Sequence, residues 1–306
     1  MSSSPAGART DTPPGVDGPA TGEAIVDWYA GAARDLPWRQ PGVEAWAVLV
    51  SEVMLQQTPV ARVEPVWREW MARWPTPAAV ALVSPADVIR AWGKLGYPRR
   101  ALRLRDAAVA VVERHGGVVP DDVVALEALP GVGTYTARAV ACFGYGRPQP
   151  VVDTNVRRVV ARLVHGRAEA GNARAADLAD IAALAPPDPA RATRFSVAAM
   201  ELGALVCVAG TPRCGACPVR DRCAWVLAGS PPHDGVPRRV QKFAGTDRQV
   251  RGRLLDVLRA AHAPVPVEDL DAAWDDAVQR SRCLYSLLTD GLVEQTDDGL
   301  FTLPQS

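Results

Sequence analysis

Two carboxylates, a glycine hairpin and four cysteines are the parts of this 306-residue sequence whose types and spacing could do chemistry. Glu52 lies in Ser51-Glu52-Val53-Met54-Leu55-Gln56-Gln57-Thr58, downstream of Leu36-Pro37-Trp38-Arg39. A glutamate that points off the apolar face of its helix, while neighbouring helices keep it from bulk water, has a raised pKa and can hold a proton near neutral pH. An isolated glutamate on a helix is nearly always just solvated. Asp153, followed by Asn155 in Val151-Val152-Asp153-Thr154-Asn155, would on its own be read as a helix cap. Leu129-Pro130-Gly131-Val132-Gly133-Thr134-Tyr135-Thr136-Ala137 makes a tight hairpin between two helical patterns. Its glycines let backbone N–H groups approach an anion at the start of the next helix, where the dipole favours negative charge. A DNA phosphate is the natural guest; on the glycines alone an ordinary helix–helix turn fits as well. Cys207, Cys214, Cys217 and Cys223 follow C-x6-C-x2-C-x5-C spacing. Four thiolates can bind zinc or a [4Fe–4S] cluster, and the chemistry by itself does not choose. Cys142 and Cys283 have no partner in such a pattern and read as core residues.

The elements that must position these groups are helical. Trp46, Leu49, Val50, Val53 and Met54 recur at helical spacing over 45–57, and Pro/Gly clusters punctuate the chain as they do between short packed helices. Residues 1–21 read as a disordered tail, rich in Ser, Pro, Gly and Thr. A proline-rich linker over 228–245 precedes a small unit, 246–306, that reads as three helices and a hairpin turning at Asp298-Gly299, a winged-helix-like module. Its third helix, up to Thr289, carries Arg280 and Arg282 and could turn Val278, Leu284, Leu287 and Leu288 inward. The formal net charge of zero is uninformative, because arginines can gather on one face. No apolar run is long enough to span a membrane and no secretion signal is visible, so a cytoplasmic protein is expected, with no membrane partner and thiols available for metal rather than disulfides.

The order of hairpin, helix, Gly/Pro loop and aspartate resembles the helix-hairpin-helix DNA glycosylase superfamily, in which that aspartate is catalytic. The cysteine spacing is similar to the [4Fe–4S] loop of the endonuclease III and adenine glycosylase (MutY-type) branches. The string around Glu52 looks like the adenine glycosylase signature, where this glutamate protonates the purine. Position 135 points the same way: bifunctional relatives carry a lysine there that forms a Schiff base, whereas this chain has Tyr135, and its two lysines, Lys94 and Lys242, lie outside the hairpin. The resemblance implies a mostly α fold, with a six-helix barrel over 45–147 and an iron–sulfur helical domain over 22–44 and 148–227.

It further implies a monofunctional enzyme that removes adenine opposite 8-oxoguanine or guanine in duplex DNA, acting as a monomer and, in a bacterium, at the nucleoid. Glu52, Asp153, Tyr135 and Asn155 would be catalytic. Arg34, Trp38, Leu55, Gln56, Gln57, Tyr97, Gly131, Val132, Gly133 and Thr136 would contact DNA or the base. Gln57 would fill the vacated stack and Tyr97 would insert beside the opposing base. Two departures stand out. Val197 occupies a position where many members carry Gln or Glu in the adenine pocket. The tail is too short and too helical for the Nudix-like domain that reads 8-oxoguanine, so it is expected to assist DNA engagement only modestly. Two alternatives are a same-fold enzyme acting on thymine opposite guanine and a non-catalytic helix-hairpin-helix DNA-binding module. Intact Glu52 and Gln56-Gln57 oppose the first, and retention of both carboxyls the second.

Overall fold

The computed structural model describes residues 17–233 and 243–305. Helices dominate, and none among the described residues is long and apolar enough to cross a membrane. The chain divides into two units: Met1–Asp35 with Ala141–Val236, and Leu36–Val140 with Pro237–Ser306.

In the first unit, helix Gly18–Ala32 packs on Pro189–Leu205, which in turn packs on Thr154–Leu163. Ile25, Val26, Val156, Val160, Phe195 and Leu202 are at the centre of its core. Asp17, Asp153 and Asp188 each cap a helix by accepting from the backbone N–H three residues on. The tail expected to run to residue 21 therefore gives way earlier. Asp17 caps a helix beginning at Gly18, and Thr21 is buried with its hydroxyl on the Asp17 carbonyl at 2.6 Å. The rest of that tail, 1–16, lies outside the described residues, as do 234–242 of the linker. Gly22 admits close packing here: a Cβ on it would stand 2.0 Å from the Leu184 carbonyl oxygen.

In the second unit, helix Ala45–Leu55 is buried on every side from Ala45 to Met54. The spacing suggested one apolar face; the helix is instead central, as a helix that is apolar nearly all round must be. Tryptophans surround it. Trp67 donates its indole N–H to the Ala47 carbonyl at 2.9 Å and meets Trp38 edge to face, while Trp70 meets both Trp74 and Trp92 in the same way. The helix stops at Leu55, so Gln56 and Gln57 leave it.

The C-terminal segment forms helices Asp247–Ala260, Val267–Asp271 and Ala277–Thr289 with a two-stranded hairpin, Glu294–Gln295 against Phe301–Thr302. Phe301 also pairs with Val265. This segment shares one core with the barrel: Ala86 and Ile89 cluster with Val250, Leu254, Leu258 and Leu287. The third helix buries Cys283 and Leu287 but half-exposes Leu284 and Leu288, and Val278 is 76% exposed rather than inward. Val278 sits in the first turn, where Asp276 caps the helix by accepting from its N–H.

In the first unit Arg34 pairs with the buried Glu201. Glu201 is fully buried and accepts from the Arg34 backbone N–H at 3.1 Å and from its guanidinium at 2.6 and 2.8 Å. Glu201→Gln removes a charge-assisted bidentate contact, and the expected outcome is a loss of about 2–3 kcal/mol, measured as a lower denaturant midpoint with unchanged helical circular dichroism.

Candidate functional site

Glu52 is 5% exposed, and the Tyr135 hydroxyl donates to its Oε2 at 2.8 Å. The contact exists because the hairpin brings the helix starting at Thr134 against the buried helix. Gly131 takes φ +74°, and a Cβ there would lie 2.7 Å from the Arg103 Cβ, so the tight turn requires glycine. Gly131, Gly133 and Thr134 are exposed, leaving backbone at the surface for an anion, while Val132 is buried. Thr136 is buried too: its hydroxyl accepts from the Gln56 side chain at 3.4 Å.

Gln57 and Tyr97 are two non-glycine residues in the left-handed region, at φ +56° and +48°. Each such residue costs roughly 1–2 kcal/mol and persists only when its surroundings impose it. Arg100 supplies much of that restraint. Its guanidinium donates to the carbonyls of Val53 at 2.8 Å, Gln56 at 2.6 Å and Gly96 at 3.0 Å, and to the Thr58 hydroxyl at 3.2 Å. It straps the frayed end of the glutamate helix to the Tyr97 loop. Sequence reasoning missed Arg100, since nothing distinguishes it from its neighbour Arg99. Gln57 is exposed, Tyr97 is 43% exposed, and Leu55 is half-buried. Trp38 is buried against Trp67, and Arg34 is bound to Glu201 as described, with its side chain 35% exposed.

Asp153, in the other unit, caps helix Thr154–Leu163. Its Oδ1 accepts from the Val156 N–H at 2.7 Å and its Oδ2 from the Asn155 side-chain amide at 2.7 Å. Asp153 is therefore a helix cap in this structure. Asn155 in turn accepts from Arg158 at 2.8 Å, and Arg158 reaches the Gly203 carbonyl and the Cys207 carbonyl, both at 2.7 Å. Gly203 lacks a side chain where a Cβ would sit 2.8 Å from the Asn155 Cβ. Burial pushes the Asp153 carboxyl above the ordinary aspartate range; the Val156 and Asn155 hydrogen bonds and the Arg158 charge pull it back down. Val197 is half-buried and packs against the core of this unit.

Cys207, Cys214, Cys217 and Cys223 are free thiols, with Cys223 buried and the others partly so. Burial pushes Cys217 up to about 11, and the other three thiols raise it further. Among the described residues no three His, Cys, Asp or Glu side chains converge as a single metal ion would require. Arg162, 4% exposed, donates to the Cys207 sulfur at 3.4 Å and lies over the Trp225 ring at 5.0 Å. Nothing in the sequence singled it out. Cys142 and Cys283 are buried, as core residues should be.

A family profile described as "HhH-GPD superfamily base excision DNA repair protein" matches residues 50–182. An adenine DNA glycosylase of Mycobacterium tuberculosis is 61% identical over 295 residues, covering 95% of this chain and 96% of that one. Among solved structures, a thermostable thymine-DNA glycosylase aligns with TM-score 0.62 at 24% identity, over 68% of this chain and 96% of its own. A non-covalent endonuclease III–DNA complex aligns with TM-score 0.59 at 22% identity, over 69% and 95% respectively. At those identities the two structures share the fold.

Asn155→Ala removes a hydrogen bond that favours the ionised form of Asp153. The Asp153 carboxyl should then titrate at higher pH than in the parent, followed by carbon-13 NMR of the labelled side chain. An unmoved midpoint would mean that Asn155 does not set its charge.

Proposed function

This chain belongs to the HhH-GPD superfamily of base excision DNA repair proteins and, within it, to the adenine DNA glycosylases, hydrolases of N-glycosyl bonds; from that premise we propose that it acts as a monomer on adenine opposite 8-oxoguanine or guanine, by hydrolysis alone, with Glu52 as the acid and Asp153 as the stabilising carboxylate. The observation that carries the reading is the buried Glu52 carboxyl held by the Tyr135 hydroxyl, a pairing of acid and non-nucleophile at the start of the hairpin-fed helix. The 61% identical relative is an adenine enzyme, which removes thymine excision and a non-catalytic module as readings of this chain.

Adenine leaves poorly as an anion, so its departure needs a proton. Glu52 gives that proton to the purine as the glycosidic bond breaks and the bonding pair goes to the base. The sugar is left oxocarbenium-like, and ionised Asp153 offsets its positive charge. Water then adds at C1′ and its proton passes to the Glu52 carboxylate. The Val156 and Asn155 donors favour the ionised form of Asp153 against the burial that raises its pKa, and the developing cation favours that form further. Tyr135, which holds the Glu52 rotamer, has no amine with which to form a Schiff base. The base must first be flipped out, at roughly a few kcal/mol. Gln57 filling the stack and Tyr97 inserting beside the opposing base would suit their exposed, left-handed positions.

Arg162 donates to the Cys207 sulfur, and the C-x6-C-x2-C-x5-C spacing of the four thiols supports a [4Fe–4S] cluster. Cys207, Cys214, Cys217 and Cys223 would hold it, and the cluster would supply a structural tie for the loop that exposes Arg213 and Arg220 to DNA phosphate.

Glu52→Gln should abolish single-turnover adenine release from an A:8-oxoguanine duplex while duplex affinity changes less than about threefold. Substantial excision by this variant would remove Glu52 from the acid role. Wild-type product should be an intact strand, nicked only by alkali and giving no borohydride-trapped complex. The purified protein should be yellow-brown with about four iron atoms per chain, whereas stoichiometric zinc without visible absorbance would overturn the cluster.

A further inference from the structure

Beside the Tyr97 loop lies a cleft of about 740 Å³ whose far wall is the first helix of the C-terminal module, Asp247–Ala260. Arg248 of that helix places its guanidinium 4.7 Å from the centre of the Tyr97 ring, and Arg100 places its own 5.4 Å from the same ring. One aromatic is thus contacted by two like charges. Arg248 is exposed, also approaches the Phe243 ring at 5.9 Å, and has no carboxylate partner among the described residues.

Its neighbours in the cleft differ. Lys94 and Arg259 pair with Asp256, and Arg99 and Arg251 pair with Asp290. Arg62, Arg248 and Arg253 remain as the lining cations without an acidic partner among the described residues, Arg62 donating instead to the Lys94 carbonyl. They leave an excess of positive charge beside a half-exposed aromatic on a left-handed backbone. The module cannot drift from this position cheaply. Its first helix shares a core with Ala86 and Ile89, and its end is tied by Arg90 to the Ala261 carbonyl at 3.1 Å and by Arg259 to the Ile89 carbonyl at 3.3 Å. A nucleotide offers both things this place lacks, a base face for the aromatic and a phosphate for the cations.

We propose that Arg248 is a positioning residue for base-strand recognition: it clamps Tyr97 from the C-terminal module and, with Arg253, binds a phosphate of the strand that faces the excised adenine. This rests on the reading of Tyr97 as the residue inserted beside the opposing base. It assigns the module a direct part in DNA binding through its first helix. The third helix, the usual reader of a winged helix, has its Arg280 and Arg282 already paired with Asp271 and Asp247.

The test uses the full chain and a duplex carrying non-hydrolysable 2′-fluoro-adenosine opposite 8-oxoguanine or guanine, with affinity measured across a salt series. Arg248→Ala, an exposed change, should weaken binding about three- to tenfold on both duplexes and lower the salt slope by about one. Arg248→Lys should restore the slope but not the full affinity, because an ammonium keeps the charge and loses the flat stacking face. In a Tyr97→Ala background, Arg248→Ala should cost less than it does alone. A wild-type affinity and slope for Arg248→Ala overturns the proposal. A neutral Tyr97→Ala together with a reduced slope for Arg248→Ala overturns instead the reading of Tyr97 and leaves the phosphate site standing.

Discussion

A carboxyl buried in the middle of an apolar helix is the constraint on which the barrel depends. An uncompensated charge there would cost several kcal/mol, so Glu52 is tolerable only with a hydrogen-bonding partner or a proton. The Tyr135 hydroxyl is that partner at 2.8 Å. Bringing it there demands a helix that starts close by, and the Gly131 turn against Arg103 makes the start possible. The tryptophans sheathe the same helix, and Trp67 satisfies its Ala47 carbonyl. At the other end Arg100 takes up the carbonyls that the terminated helix leaves over. The strap that satisfies those groups also holds the two left-handed residues, so the chemistry of Glu52 and the exposed Gln57 and Tyr97 share one support.

The other unit solves a similar problem by a different route. Burial raises the Asp153 carboxyl above the ordinary aspartate range, and as a helix cap it draws on backbone and amide donors that favour its ionised form and offset part of that rise. Those donors are themselves held. Asn155 is fixed by Arg158, and Arg158 by the carbonyls of Gly203 and Cys207. The residue that presents the aspartate and the loop that carries the cysteines are therefore joined by one hydrogen-bonded chain. A disturbance of the cysteine loop has a short hydrogen-bonded path to the Asp153 carboxylate.

The C-terminal module reads as separable when only its linker and composition are considered, but the core shows otherwise. Val250, Leu254 and Leu258 pack against Ala86 and Ile89, because the first helix of the module is amphipathic and the barrel leaves an apolar ridge for it. Within the module Asp247 pairs with Arg282, Asp271 with Arg280, and Asp290 with Arg251 as well as with Arg99 of the barrel. Arg248, without a carboxylate partner among the described residues, lies over Tyr97 and not on the third helix.

Glu52, Asp153, Tyr135 and the four cysteines stood out because each belongs to a local string whose order resembles a family signature; residue type alone left a solvated glutamate, a helix cap and a choice of metals open. The helical class and the Asp153 cap were legible, since both arise from contacts within a few positions of the chain. Helix ends were less so: Asp17 starts a helix inside what composition made a tail, and Val278 faces out where periodicity turned it in. Arg100, Arg162, Arg158 and Arg248 were invisible among thirty-four basic residues. Their roles depend on carbonyls, sulfurs and rings brought near them from distant parts of the sequence, as Val53 is to Arg100 and Tyr97 is to Arg248. An arginine's value lies in what its planar fork can reach, and only the packed chain decides that.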